Sequence, residues 1–281
     1  MKELAGRTAV VTGAGSGIGR ALACRFATEG MRVGLLDIDE DAARATAALI
    51  ADAAPSTHTF TVAVDVSDDE AMARAAEAVF AEFEAVHVLC LNAGVFLGGL
   101  LWERPKVDLD FAFGVNIDGV INGIRRFVPR MIAQDTEGHV VTTASVAGLF
   151  GTPFAGPYSV SKFAAFAVGE TLAHDLIATG TKLRASVLCP GIIKTPIAHT
   201  ARDRGPQPGT DTSDEQRFIN DVLVDIVDEG GLDPSVVGDR VVSAIRDERF
   251  LILTHDHHAE SIAARAHELA ELQLPTIVDY S

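Results

Sequence analysis

Tyr158 and Lys162 stand four positions apart in the run Tyr158-Ser159-Val160-Ser161-Lys162. If that run is helical, both side chains share one face, because a helix brings i and i+4 together. A tyrosine with the ordinary pKa of about 10 is a poor base at neutral pH. A lysine cation beside it favours the phenolate. Such a pair could take the proton of an alcohol while a hydride leaves the carbon, and return it to a forming alkoxide in the reverse direction. Ser145 ends the strand-like run Thr142-Thr143-Ala144-Ser145, 13 residues before Tyr158. Its hydroxyl could hydrogen-bond and orient the reacting oxygen. Asn116 lies inside a long helical pattern, where asparagine is a mediocre helix former, so it points to a polar task. Each feature alone has a plainer reading: a surface i, i+4 pair, a serine bonding its own backbone, a satisfied helix asparagine.

A second constellation lies near the start of the chain. Thr12-Gly13-Ala14-Gly15-Ser16-Gly17-Ile18-Gly19 follows a β-branched run and opens a helical pattern. Strand, glycine turn and helix start together make a phosphate cradle. The missing Cβ atoms let a pyrophosphate reach the backbone, and the helix N-terminus offers its N–H groups. Asp37 closes the next strand-like run, 18 residues after Gly19. An acid there can bind both hydroxyls of an adenosine ribose and would repel a 2′-phosphate. Ser16, Ile38 and Asp39 bring no positive charge to it, so the pattern favours NAD over NADP.

Positioning these groups requires a frame, and the hydrophobic periodicity supplies one. Strand-like runs at 7–12, 32–37, 59–65, 86–92, 139–144, 183–188 and 250–254 alternate with helical patterns at 18–29, 41–53, 68–83, 107–132 and 158–179. Pro129 is expected to cap or kink the end of the 107–132 helix. Repeated βαβ units imply parallel strands with helices on both faces. Nearly continuous apolar runs such as Val86-His87-Val88-Leu89-Cys90-Leu91 fit a sheet covered on both sides. The fold class is therefore α/β: a Rossmann-like doubly wound parallel sheet of about seven strands, in a single domain over 1–281. Residues 196–216, with Pro196, Pro206 and Pro208, read as a loop. The apolar face of Phe218, Ile219, Val222, Leu223, Ile226 and Val227 reads either as a lid helix or as an ordinary surface helix.

The glycine spacing separates two kinds of dinucleotide turn. Gly-x-Gly-x-x-Gly does not fit, whereas Gly-x-x-x-Gly-x-Gly fits at Gly13, Gly17 and Gly19. With Tyr-x-x-x-Lys and Ser145 in order behind it, the chain resembles the short-chain dehydrogenase/reductase family over residues 6 to about 254. The resemblance implies a set of roles. Gly13, Gly15, Ser16, Gly17, Ile18 and Gly19 hold the pyrophosphate, and Asp37 with Ile38 holds the ribose. Asp65 and Val66 contact the adenine. Asn92-Ala93-Gly94 floors the cofactor site. Asn116, Ser145, Tyr158 and Lys162 form the catalytic set, with Asn116 holding a water that relays protons to the lysine, and Tyr158 and Lys162 also touching the cofactor. Pro190-Gly191-Ile192-Ile193-Lys194-Thr195 passes the nicotinamide, where the backbone at Ile193 and the hydroxyl of Thr195 bind its carboxamide. Residues 196–235 form a substrate loop and lid, and 255–281 a C-terminal extension. Homodimers or homotetramers built partly on the 107–132 and 157–179 helices are implied as well.

Composition narrows the functions further. The formal net charge is −16, which argues against a nucleic-acid partner. No apolar run approaches the roughly 20 residues of a membrane span, and the N-terminus has no secretory pattern, so the expected compartment is the cytoplasm. Cys24, Cys90 and Cys189 share no ligand spacing and read as free thiols. His255, His257 and His258 beside Asp256 read as a polar strand exit rather than a zinc site, and no metal is expected. A tail helix over 260–272 carries Ile262, Ala266, Leu269 and Leu272 on a face that could cover the core or meet another subunit. Ser145, Phe150, Phe154, Tyr158, Phe218 and Val222 are the expected substrate contacts, with Val146 beside them and Phe96 and Leu97 near the mouth. The expected activity is hydride transfer between NAD(H) and a hydrophobic secondary alcohol or ketone. The rival reading is a dinucleotide-binding redox regulator without chemistry.

Overall fold

The computed structural model describes residues 1–199 and 214–278. The expected loop residues Asp203, Arg204, Pro206 and Pro208 lie outside them. β1 (Thr8–Thr12), β2 (Arg32–Asp37), β3 (Thr59–Ala63), β4 (Val88–Leu91), β5 (Gly138–Thr143), β6 (Leu183–Cys189) and β7 (Leu251–Leu253) form one sheet in the order β3-β2-β1-β4-β5-β6-β7. Every neighbouring pair is parallel. The doubly wound α/β sheet expected from the sequence is the observed one.

Strand alternation decides which helix covers which face. Val11, Val33, Leu35, Val88 and Cys90 point to one side. They pack against Leu22 and Phe26 of α1 (Gly17–Thr28), Ile50 of α2 (Glu40–Ala53), and Val241 and Ile245 of α8 (Pro234–Asp247). Val10, Leu36, Leu89, Leu91 and Val140 point to the other. They meet Val79 and Phe83 of α3 (Asp69–Phe83), Phe127 and Met131 of α5 (Gly119–Ala133), and Leu172 and Leu176 of α6 (Gly156–Ala178). Two covered faces explain why the strands read as continuous apolar runs.

The expected 107–132 helix is interrupted. α4 (Lys106–Phe113) runs into one π-helical turn, Gly114–Asp118, before α5. Asn116 sits in that turn and is buried. Pro129 does not close the helix, as the sequence suggested; α5 continues through it to Ala133. After α7 (Asp214–Gly230) and α8, the chain ends in α9 (His258–Ala270). Ala266 and Leu269 of the tail helix are exposed, so that face does not cover the core. Among the described residues no helix is long and apolar enough to cross a membrane.

Two histidines are built into this frame in the neutral form. His87 Nδ1 accepts the Thr8 backbone N–H at 3.2 Å. His139 Nε2 lies 2.6 Å from Ser186 Oγ, which donates to the Arg249 carbonyl, also at 2.6 Å. Nε2 must therefore be the donor of the first bond. Burial pushes His87 down to about 4 and His139 down to about 3. Below the usual histidine value near 6.5 the unfolded chain binds these protons and the folded one does not, so stability is lost as pH falls from about 6.5 toward 4. Denaturant unfolding across that window should show this loss. In His139→Gln the pH slope should fall by about one proton.

Candidate active site

The order of the sheet reverses between β1 and β4. Helices leave these strands toward opposite faces, and a crevice opens beyond their C-terminal ends. Thr12 and Asn92 hold the two edges together. Thr12 Oγ1 accepts from the backbone N–H groups of Asn92 at 2.8 Å and Ala93 at 3.1 Å, and Asn92 Nδ2 donates to the Thr12 carbonyl at 3.0 Å. A cavity of about 810 Å³ occupies the crevice and extends under α7.

The glycine turn forms one end of the cavity. Gly13 has φ +65° and packs so closely that a Cβ would lie 2.9 Å from Ala93 Cα. At Gly19 a Cβ would fall on the Gly13 carbonyl. Gly17 takes φ +49° against Thr195. Gly15 and Gly19 shape the turn from behind and do not line the cavity, whereas Gly13, Ser16, Gly17 and Ile18 do. Gly15 N–H donates to Asp37 Oδ2 at 2.7 Å, and Asp39 N–H donates to Oδ1 at 3.0 Å. The carboxylate is thus fixed at the rim of the cavity beside Ile38. Asp65, Val66, Asn92, Ala93, Gly94, Pro190, Gly191, Ile193 and Thr195 complete this part of the lining.

Whether a dinucleotide fits can be judged from the helix ends. Asp39, Asp68 and Asp233 cap α2, α3 and α8 with their side chains. Ser16 at the start of α1 makes no such bond, and the first turn of α1 holds no acid. That N-terminus meets the cavity bare, as an anion would require. Gly94 adds room at the other end, where a Cβ would stand 3.1 Å from Lys162 Nζ and 3.2 Å from Asn116 Oδ1. The residues present fit a dinucleotide with its pyrophosphate at α1 and its second ring over Gly94.

Ser145, Tyr158 and Lys162 converge on the middle of the cavity. Ser145 lies two residues past β5, where its hydroxyl accepts the Ala147 N–H at 3.1 Å, and Tyr158 lies in the first turn of α6. Lys162 Nζ donates to the Thr143 carbonyl at 3.3 Å and lies 5.7 Å from the centroid of the Tyr158 ring. Burial pushes the Tyr158 hydroxyl up to about 12, against a hydrogen bond from Ser145 that pulls it down. Burial also lowers Lys162 to about 8. The lysine alone therefore does not produce a phenolate at neutral pH, and more positive charge is needed at the site.

Asn116 does not line the cavity directly. Its Oδ1 accepts the Val95 N–H at 2.9 Å, and its Nδ2 donates to the Val95 carbonyl and to Ser161 Oγ, each at 2.9 Å. Ser161 Oγ donates in turn to the Tyr158 carbonyl at 2.8 Å. The asparagine side chain thus ties the loop after β4 to α6. Sequence reading missed Ser161 and Thr12. Both stand inside motifs noted for other residues, and nothing in their type marked them.

The expected substrate contacts separate. Val222 lines the cavity, joined by Ile219, Leu223, Ile226 and Val227 of α7 and by Phe96 and Val146. Phe150 is buried elsewhere, its ring 6.4 Å from His258. Phe154 and Phe218 stand at the surface, with their rings 6.1 Å apart. In the His255–His258 cluster after β7, His258 is buried and His257 exposed. His255 Nδ1 lies 2.9 Å from Thr254 Oγ1, which accepts from the Gly191 N–H.

A sheet of this order with a glycine cradle and a Ser–Tyr–Lys cluster at its switch point defines a dinucleotide-binding oxidoreductase fold. A model of the short chain dehydrogenases matches residues 7–205, and the chain belongs to the short-chain dehydrogenase/reductase family as one of its oxidoreductases. It is 30% identical to the CLA biosynthesis dehydrogenase/reductase of Lactiplantibacillus plantarum, over 99% of this chain and 98% of that one. It is 32% identical to the C alpha-dehydrogenase of a Sphingobium species (strain NBRC 103272 / SYK-6), over 93% and 85%. A short-chain dehydrogenase/reductase from Burkholderia phymatum, solved in complex with NAD, superposes with a TM-score of 0.94 at 37% identity, covering 99% of each chain.

Lys162 carries a stability consequence that can be measured. Its folded pKa near 8 lies below the ordinary lysine value near 10.5, so the folded state releases its proton first. Lys162 therefore adds stability as pH rises from about 8, while the buried thiols of Cys90 and Cys189, held above their ordinary value near 9, and then Tyr158 pull the other way from about 9 upward. In Lys162→Met the lysine's contribution should vanish. The variant should melt at or a few degrees above the wild type at pH 7 while losing turnover, as thermal melts across the pH range would report.

Proposed function

We propose that this protein transfers a hydride between NAD(H) and the carbinol or carbonyl carbon of a hydrophobic secondary alcohol or ketone. The observation that carries the reading is the convergence of Ser145, Tyr158 and Lys162 on one cavity whose far end holds the Asp37 carboxylate. Asp37 is offered as the ribose ligand, and its charge beside Gly15 supports NAD over NADP. The relative from Burkholderia phymatum, bound to NAD, supports the same choice.

When bound, the nicotinamide supplies the acceptor or donor of the hydride. The chain does the rest. Ser145 hydrogen-bonds the substrate oxygen and holds it before Tyr158. In oxidation Tyr158 takes the hydroxyl proton, and in reduction it donates one to the developing alkoxide. Lys162 supplies positive charge beside the phenol. Asn116 and Ser161 fix the helix that carries both. The backbone at Ile193 and the Thr195 hydroxyl are offered as carboxamide partners, and Asp65 and Val66 as the adenine contacts. The segment 196–235 is offered as the substrate lid, and a homodimer or homotetramer as the assembly, to be checked by size-exclusion chromatography with light scattering.

The purified protein with NAD or NADP and a panel of secondary alcohols, followed by nicotinamide absorbance, tests the reading. Turnover with NAD is expected, and Tyr158→Phe should lose it by at least about 100-fold. Better turnover with NADP would overturn the role of Asp37. Binding of NAD with no turnover on any alcohol or ketone would favour the redox-regulator reading. A second expectation follows from the high pKa of Tyr158. Alcohol oxidation, which needs the deprotonated pair, should speed up with rising pH through the neutral and mildly alkaline range. Ketone reduction, which needs the proton, should be fastest on the low side of that range. Rates in both directions on one buffer series would show whether the two profiles diverge.

A further inference from the structure

Beyond Ser145, Tyr158 and Lys162 the cavity wall continues along α7 toward an exposed rim. On the inside, α7 presents Ile219, Val222, Leu223, Ile226 and Val227 as an unbroken apolar wall, about 12 Å of helix at the usual rise. The carboxylates of the lining, Asp37, Asp39 and Asp65, stand at the cofactor end. The outer face of α7 carries Asp221, Asp225 and Asp228, all exposed. One residue before Ile219, Phe218 is 57% exposed. Its ring meets that of Phe154 edge-on at 6.1 Å and 81°. Phe154 is 39% exposed and holds φ +59°, a left-handed backbone that bulky residues rarely adopt. Its carbonyl accepts the Gly99 N–H at 2.6 Å, and its neighbours Thr152 and Ala155 line the cavity. The loop so anchored continues to Leu101, which packs against Gly156, and to Trp102, which is 80% exposed. Four large apolar side chains are therefore exposed on or beside segments that line the cavity, and one of them stands on an unfavourable backbone. Exposed apolar surface continuous with a pocket marks a ligand seat.

We propose that Leu101, Trp102, Phe154 and Phe218 seat the distal hydrocarbon of the substrate. The substrate class is then an alcohol or ketone on an extended, uncharged hydrocarbon that outreaches the inner cavity and leaves past the Phe154–Phe218 pair. The inference deepens the proposed function and rests on it for the identity of the reacting group. The seat itself rests only on the rim.

Trp102 is the only tryptophan in the chain, so its emission reports the rim without any turnover. The full-length protein, saturated with NAD, would be titrated with methyl ketones from 2-butanone to 2-dodecanone. A blue shift is expected with the long members and none with the short ones. In parallel, kcat/KM for the alkan-2-ols should rise about fourfold per methylene up to the rim and beyond it. Phe218→Ala and Trp102→Ala should each cost about tenfold with 2-dodecanol and less than twofold with 2-butanol. Equal losses at both chain lengths, or emission blind to long ketones, would overturn the seat. So would emission that shifts with protein concentration alone, which would make the rim a contact between copies of this chain. Emission that responds to long ketones while no alcohol is oxidised would overturn the proposed reaction and leave the seat standing.

Discussion

A parallel sheet cannot reverse its order without a gap, and everything chemical in this protein sits in that gap. At β1 and β4 the connecting helices part to opposite faces, so the strand ends there are covered by neither. Thr12 and Asn92 close the backbone across the gap with three hydrogen bonds. The bare start of α1, the carboxylate of Asp37 and the end of β5 all face the space above them. The three bonds extend the β1–β4 ladder past the strand ends and set the glycine turn against the segment that follows β4.

Within that space burial sets the chemistry. Tyr158 is driven toward its protonated form and Lys162 toward its neutral one, both by loss of water rather than by each other. The pair is therefore poised as a proton donor, and the extra positive charge of an oxidised cofactor is what would turn it into a base. Charge supplied on binding, not charge stored in the fold, would then set the direction in which the tyrosine works. The same rule acts at His87 and His139, where burial keeps two rings neutral and makes the sheet a sensor of acid.

Much of this was legible in the sequence because it is local. The glycine spacing, Asp37 at a strand end and Tyr158 four residues from Lys162 are short-range patterns, and the alternation of strand and helix gives the sheet. What failed was of longer range or depended on angle. Phe150 and Phe154 look alike in sequence, yet Phe150 packs on His258 while Phe154, at φ +59°, stands at the surface. Pro129 reads as a cap or a kink at the helix end, but a proline removes only one donor, and with Phe127 and Met131 packed into the core α5 runs past it to Ala133. The importance of Ser161 and Thr12 lies in hydrogen bonds to residues 45 and 80 positions away. No periodicity reports such a partner.

The π-helical turn at Gly114–Asp118 amounts to one residue more than an α-helix would need. An ordinary helix advances about 100° per residue, and the wider π turn spreads one residue more over the same rotation, so α4 and α5 keep a common phase. Phe111 and Val115 reach the cavity wall, and Phe127 reaches the core. Loss of the extra residue would let the segment close into one continuous α-helix, with wall and core still in step, but without the bulge on which Asn116 reaches Val95 and Ser161.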